Sequence, residues 1–139
     1  MTRLRGSRGD SGPLEMVILL PAVLVLFGLV VAFGRTTTAA TNVEHAAAVG
    51  ARAAALAQTA GGASARAEHV VGESLAGSGL ACQSQATSVT GSFTPGGRVT
   101  VTVSCVVALG DVTQFGLIPG SRTLTASATE VIDRTRGGA

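Results

Sequence analysis

Glu15-Met16-Val17-Ile18-Leu19-Leu20-Pro21-Ala22-Val23-Leu24-Val25-Leu26-Phe27-Gly28-Leu29-Val30-Val31-Ala32-Phe33-Gly34 is the stretch that decides the architecture. From Met16 to Phe33 no side chain is charged or strongly polar. As a helix rising 1.5 Å per residue, this run is roughly 27 Å long, close to the ~30 Å hydrocarbon core of a bilayer. A helix apolar on every face belongs in lipid or inside a large core. A chain of 139 residues whose only aromatics are four Phe does not build such a core. The reading is a transmembrane helix over 14–34.

Two residues depart from a plain anchor. Glu15 stands at the threshold of the apolar run, where a carboxylate needs water or a partner. It reads either as a flank residue reaching water or as a charge kept for subunit pairing in the membrane. Pro21 lies inside the helix, where it removes one backbone hydrogen bond and predicts a kink.

Upstream, residues 1–13 form a basic tail. Arg3, Arg5 and Arg8 stand against Asp10, and Gly6, Gly9, Gly12 and Pro13 oppose regular structure. Arg in short flanks stays cytoplasmic. The expected topology is therefore single-pass in the cell membrane, with the N-terminus cytoplasmic and the C-terminal domain extracytoplasmic. The tripeptide Arg8-Gly9-Asp10 falls on the cytoplasmic side and reads as chance. Ala32-Phe33-Gly34 offers small residues to a signal peptidase, but the apolar run exceeds the usual h-region of about 7–15 residues.

Downstream, Thr36 to Gln58 is dense in Ala and holds only Gly50 as a breaker. Val43, Ala46, Ala47, Ala54 and Ala57 recur at helical spacing, with Arg35, Glu44 and Arg52 left for a wetter side. One helix is expected from about Pro13 through the membrane to about Gln58, stopped by Gly61-Gly62. Its outer half presents a smooth Ala/Gly face. A second, short helix is expected from Ser64, as cap, to Ala76, with Val70, Val71 and Leu75 as its apolar stripe.

The period then changes to two. Ala86 to Phe93 and Arg98 to Leu109 read as a hairpin around Thr94-Pro95-Gly96-Gly97. On the second strand Val99, Val101, Val103, Cys105, Val107 and Leu109 point one way, and Arg98, Thr100, Thr102 and Ser104 the other. Gly110 to Gly120 reads as a loop whose Phe115, Leu117 and Ile118 fold back on the core. Arg122 to Ile132 alternates again, with Glu130 interrupting the apolar face. Residues 133–139 read as a flexible polar tail. The fold class is α+β: a long N-terminal transmembrane helix, continuing outside the membrane and packed on a small antiparallel sheet, with one short extra helix. The extracytoplasmic domain spans 35–132.

Cys82 and Cys105 both fall on the outer side, where disulfides form and persist, and two cysteines allow one pairing. A metal pair or a reactive thiol finds no support, since no second Cys or His stands at ligand spacing. His69 and Glu73 lie one turn apart, a weak two-ligand pattern, and Glu44-His45 reads as solvated helix surface. No nucleophile–base set, phosphate loop or carboxylate pair stands out. The expectation is no enzyme, no cofactor and no small-molecule substrate. Ten Arg scattered along the chain, a net charge of +2 and the few aromatics argue against nucleic acid as a partner.

The residues resemble the TadE-like family, the minor pseudopilins of the tight-adherence (Tad/Flp) pilus machinery, especially its actinobacterial members. The likeness lies in Leu14-Glu15 leading into Ile18-Leu19-Leu20-Pro21, in Phe33-Gly34-Arg35, and in the small-residue helix from Ala48 to Ala55. It continues in Val99 to Cys105 and in Pro119 to Glu130. The resemblance implies a pilin-like subunit supporting assembly of a type IV pilus-like fibre. Its partners would be the lipid bilayer, other pilin-like subunits and the assembly platform. It also implies that Glu15 pairs with the N-terminal amine of a neighbouring subunit. One departure concerns processing. Prepilin peptidases usually cut after a Gly that makes the Glu the fifth mature residue, and here Asp10 holds that place. The alternatives are a single-pass binding or adhesion module unrelated to pili, or a secreted domain released by signal peptidase.

Overall fold

The structure is a computed structural model, in which residues 12–113 and 119–137 are described. The elements follow in the order α1 (Gly12–Ala55), α2 (Ala60–Gly77), β1 (Ser84–Gly91), β2 (Arg98–Ala108), α3 (Leu109–Thr113) and β3 (Ser121–Val131). A 3-10 turn follows at Arg134–Gly137. The chain divides into two compact units, residues 1–33 and 34–139.

The first unit contributes the start of α1, which runs unbroken through Pro21 and on to Ala55. Pro21 supplies no N–H, so the carbonyl of Val17 loses its helical donor. The helix nevertheless continues on both sides of it.

The second unit is a three-stranded antiparallel sheet, ordered β1-β2-β3, with α1 and α2 against one face. α1 keeps its helix here because Ala dominates and the one Gly, Gly50, sits on the packed side. Ala39, Val43, Ala46, Ala47, Ala51 and Ala54 are buried at spacings of three and four, while Glu44, His45 and Arg52 face water. Ala57, expected on the same face, lies beyond the helix end and is only half-buried.

α2 begins earlier than its glycines suggest. Thr59 is the N-cap, with extended backbone, and its Oγ1 accepts from the Gly62 N–H at 3.1 Å. Gly61 and Gly62 therefore lie inside the first turn of α2 and do not terminate α1. Ser64 lies within the helix rather than at its cap, and its hydroxyl donates to the Ala60 carbonyl at 3.2 Å. The buried stripe is Ala63, Ala67, Val71 and Leu75, each four residues from the last, and Val70 is half-buried.

β2 is the central strand. Val99, Val101, Val103, Cys105 and Val107 are buried toward the helices. On the same face β3 sets Glu130, Ala128, Ala126 and Leu124 opposite Val99, Val101, Val103 and Cys105. β1 starts two residues earlier than its alternation suggests, with Gln85 paired to Cys105 and Val89 to Val101. The β1–β2 connection contains a type II turn. Pro95 pre-sets the first central position, Gly96 takes φ of +78° at the second, and the Gly97 N–H donates to Thr94 O at 2.8 Å.

The opposite sheet face is lined by hydroxyls. Thr100 and Thr129 hydrogen-bond at 2.8 Å, and Thr102 and Ser127 at 2.9 Å. At the sheet's end α3 replaces the start of the expected loop, and the Leu109 N–H donates to the Gly120 carbonyl at 3.0 Å. The expected folding back of Phe115, Leu117 and Ile118 lies outside the described residues, as do residues 1–11 of the basic tail. Past β3 the chain is not simply loose. The Asp133 carboxylate accepts from the Thr135 N–H at 3.0 Å and opens the 3-10 turn.

Candidate functional site

The feature that calls for a partner is the first half of α1. No helix segment in the described residues hides less of its apolar surface. Met16, Val17, Ile18, Leu19, Leu20, Val23, Leu24, Val25, Leu26 and Phe27 are all more than half exposed. None of the residues in its most apolar window is buried. By length and composition the helix can cross a membrane. Transfer of such side chains out of water is favourable by about 1.5–3 kcal/mol each, so this surface is not built for solvent.

Glu15 sits in the first turn of this helix and is exposed. That end of a helix carries the partial positive charge of unpaired N–H groups, which favours a carboxylate. Among the described residues no salt bridge engages it. One turn and a half further on, Pro21 stands with Ile18, Ala22, Val25, Leu26 and Leu29 around a shallow apolar hollow on one side of the helix. Glu15 and Pro21 thus share one short segment.

Where the apolar run ends, the chain stays helical through a cluster of threonines. The Gly34 carbonyl accepts hydroxyl bonds from Thr37 at 2.8 Å and Thr38 at 2.9 Å, and Thr41 donates to the Thr37 carbonyl at 3.0 Å. These β-branched residues weaken helices on propensity alone, and turning the hydroxyl onto the preceding turn satisfies it without water.

The cysteine pair is formed. Cys82 and Cys105 are disulfide-bonded, with a Cα–Cα distance of 5.4 Å. The bridge ties the segment after α2 to the middle of the sheet, and the Gln83 N–H donates to the Val106 carbonyl at 2.7 Å beside it.

His69 Nδ1 and Glu73 Oε2 lie 3.6 Å apart on the surface of α2. Among the described residues no group of three or more His, Cys, Asp or Glu converges. Two features escaped the sequence reading. One is the ion pair of Arg52 with Glu130, which the break in β3 alternation hinted at. The other is Thr87, whose Oγ1 is buried on the helix-facing side of β1 with no hydrogen-bond partner among the described residues.

No curated protein and no solved structure matches the chain. Residues 14–52 match the family model described as TadE-like protein. The matched segment lies wholly within α1: it opens on Leu14-Glu15, includes Pro21 and the threonine cluster, and closes on Arg52. The family that the residues resemble, TadE-like, is thus the family whose model this chain's long helix matches.

Proposed function

We propose that the chain is a membrane-anchored TadE-like pseudopilin that supports assembly of a Tad/Flp-type pilus. In this reading α1 spans the cell membrane once, with the basic tail cytoplasmic and the sheet domain extracytoplasmic. The protein acts as a structural and assembly subunit and carries out no catalysis. The observation that carries the reading is a helix whose apolar first half has no buried residue and whose first turn holds a carboxylate, inside the family match. Lipid and the helices of other pilin-like subunits are the two environments that accept such a surface. In that setting Glu15 is the subunit-pairing charge: near a positive group it gains more than any apolar neighbour does, and losing the partner leaves a charge uncompensated.

The test is Glu15→Gln. The substitution keeps size and hydrogen bonding while removing the charge, so membrane level and the Cys82–Cys105 disulfide should be unchanged. Pilus assembly and cross-linking to other pilin-like subunits should be lost, as in the gene deletion. Wild-type piliation in the Glu15→Gln strain would leave Glu15 a flanking charge. A mature N-terminus at Arg35, found by mass spectrometry, would replace the anchor with a released domain.

A further inference from the structure

The second unit holds a cavity of about 300 Å³ beside the first outer turns of α1. Its apolar floor includes the buried Ala39 and Val107. Around it stand Arg35, Thr38 and Asn42 from α1, and Asp111 from α3. Arg35 and Asp111 are exposed and do not form an ion pair with each other. Neither has another charged partner among the described residues. The Asn42 amide makes no hydrogen bond there either. Two opposite charges and a free amide therefore line one hollow without satisfying one another.

Position along the chain limits what meets this hollow. Arg35 is two residues beyond Phe33, the last of the apolar run, or about 3 Å of helical rise. If α1 spans a bilayer, Arg35 stands at the level of lipid headgroups on the outer side. Guanidinium binds phosphate through paired N–H donors, and a carboxylate binds a primary ammonium. The headgroup that offers both, with no net charge, is a phosphoethanolamine. An anionic headgroup would satisfy Arg35 and be repelled by Asp111. A choline headgroup carries the positive charge but no N–H to give to the carboxylate.

We propose that this cavity binds the headgroup of a zwitterionic aminophospholipid from the outer leaflet. The phosphate is held by Arg35 and the Asn42 amide, and the ammonium by Asp111. The inference rests on the reading of α1 as a membrane span.

Native mass spectrometry of the detergent-extracted full chain, with phosphatidylethanolamine, phosphatidylglycerol or phosphatidylcholine added, tests it. Phosphatidylethanolamine should form adducts at roughly tenfold lower concentration than the other two, the effect of one added charge-assisted contact. Asp111→Asn should erase that preference and let phosphatidylglycerol bind at least as well. Arg35→Ala should weaken all three, and Arg35→Lys should restore part of the binding. Both residues are exposed, so an intact Cys82–Cys105 disulfide serves as the check on folding. Equal adducts with all three lipids, or a preference that survives Asp111→Asn, overturns the proposal while leaving the anchor in place. Release of the protein from membranes by a carbonate wash overturns both.

Discussion

The Nε of Arg52 on α1 lies 3.4 Å from Oε1 of Glu130 on β3. Glu130 stands opposite Val99, on the sheet face that the helices cover, so its charge would be misplaced without a cation above it. The side chains are 75% and 39% exposed, and water therefore competes for both. Such a pair contributes about 0–1 kcal/mol and weakens with salt. Glu130→Gln is expected to change the unfolding free energy by less than about 1 kcal/mol, measured by urea unfolding of the full chain in detergent. A loss of several kcal/mol would make the pair a principal support of the helix–sheet contact.

Gly50 lies where α1 passes close to Val71 of α2 and Val101 of β2. A methyl group there would come within 2.7 Å of Val71 Cγ2 and 3.3 Å of Val101 Cγ1. Both valines are fully buried and stiff at χ1. In an open helix Gly→Ala gains about 1 kcal/mol. Here overpacking of about 1–3 kcal/mol should outweigh it. Gly50→Ala is expected to lower the thermal midpoint of the sheet domain, whereas Gly72→Ala, where nothing lies within 4 Å, should raise it slightly. Stabilisation by both would show that α1 and α2 do not meet at Gly50.

Thr87 offers the opposite case. Its hydroxyl is buried with no partner among the described residues, a loss of about 1–3 kcal/mol relative to a satisfied group. Thr87→Val keeps the branched shape and the strand preference of the site. The substitution is expected to stabilise the protein by up to about 2 kcal/mol. Destabilisation in the same urea experiment would mean that the hydroxyl finds a water.

The disulfide closes a loop with a sequence separation of 23. In the chain-entropy model this is worth about 3 kcal/mol. The double substitution Cys82→Ala with Cys105→Ala should lose about that much or more, since Cys105 is fully buried and leaves a small void. Reduction of the wild-type protein should shift its unfolding in the same direction. Free thiols at both positions in native extracted protein, by non-reducing peptide mapping, would remove the bridge from the account.

The long helix, the central strand and the cysteine pair were legible in the sequence because each carries a signal that tertiary context reinforces. The run from Met16 to Phe33 has one apolar character throughout, and β2 alternates polar and apolar residues from Arg98 to Cys105. The boundary of α2 was not legible. Gly61-Gly62 read as a stop, but a first helical turn has no intrahelical partners for its N–H groups. Thr59 supplies one, and the burial of Ala63 and Ala67 offsets the glycine penalty. The early start of β1 was equally hidden. Ser84-Gln85 has no alternation of its own, and its register follows from pairing with β2 beside the disulfide. At the candidate site, Glu15 and Pro21 stood out by being unlike their neighbours. The hollow between Arg35 and Asp111 joins residues far apart in the chain, and no local pattern announces it.

The make-up of the core also sets how the domain responds to temperature. Among the described residues, seven of the sixteen buried apolar side chains are alanines, and none is aromatic. Alanine loses no rotamer freedom on burial, so ordering this core forfeits little side-chain entropy. It also hides little apolar area, and the heat-capacity change of unfolding scales with that area. The stability curve should therefore be shallow, with a broad maximum and little loss on cooling. A domain of this kind would hold its shape over a wide range of temperatures without being strongly stable at any of them.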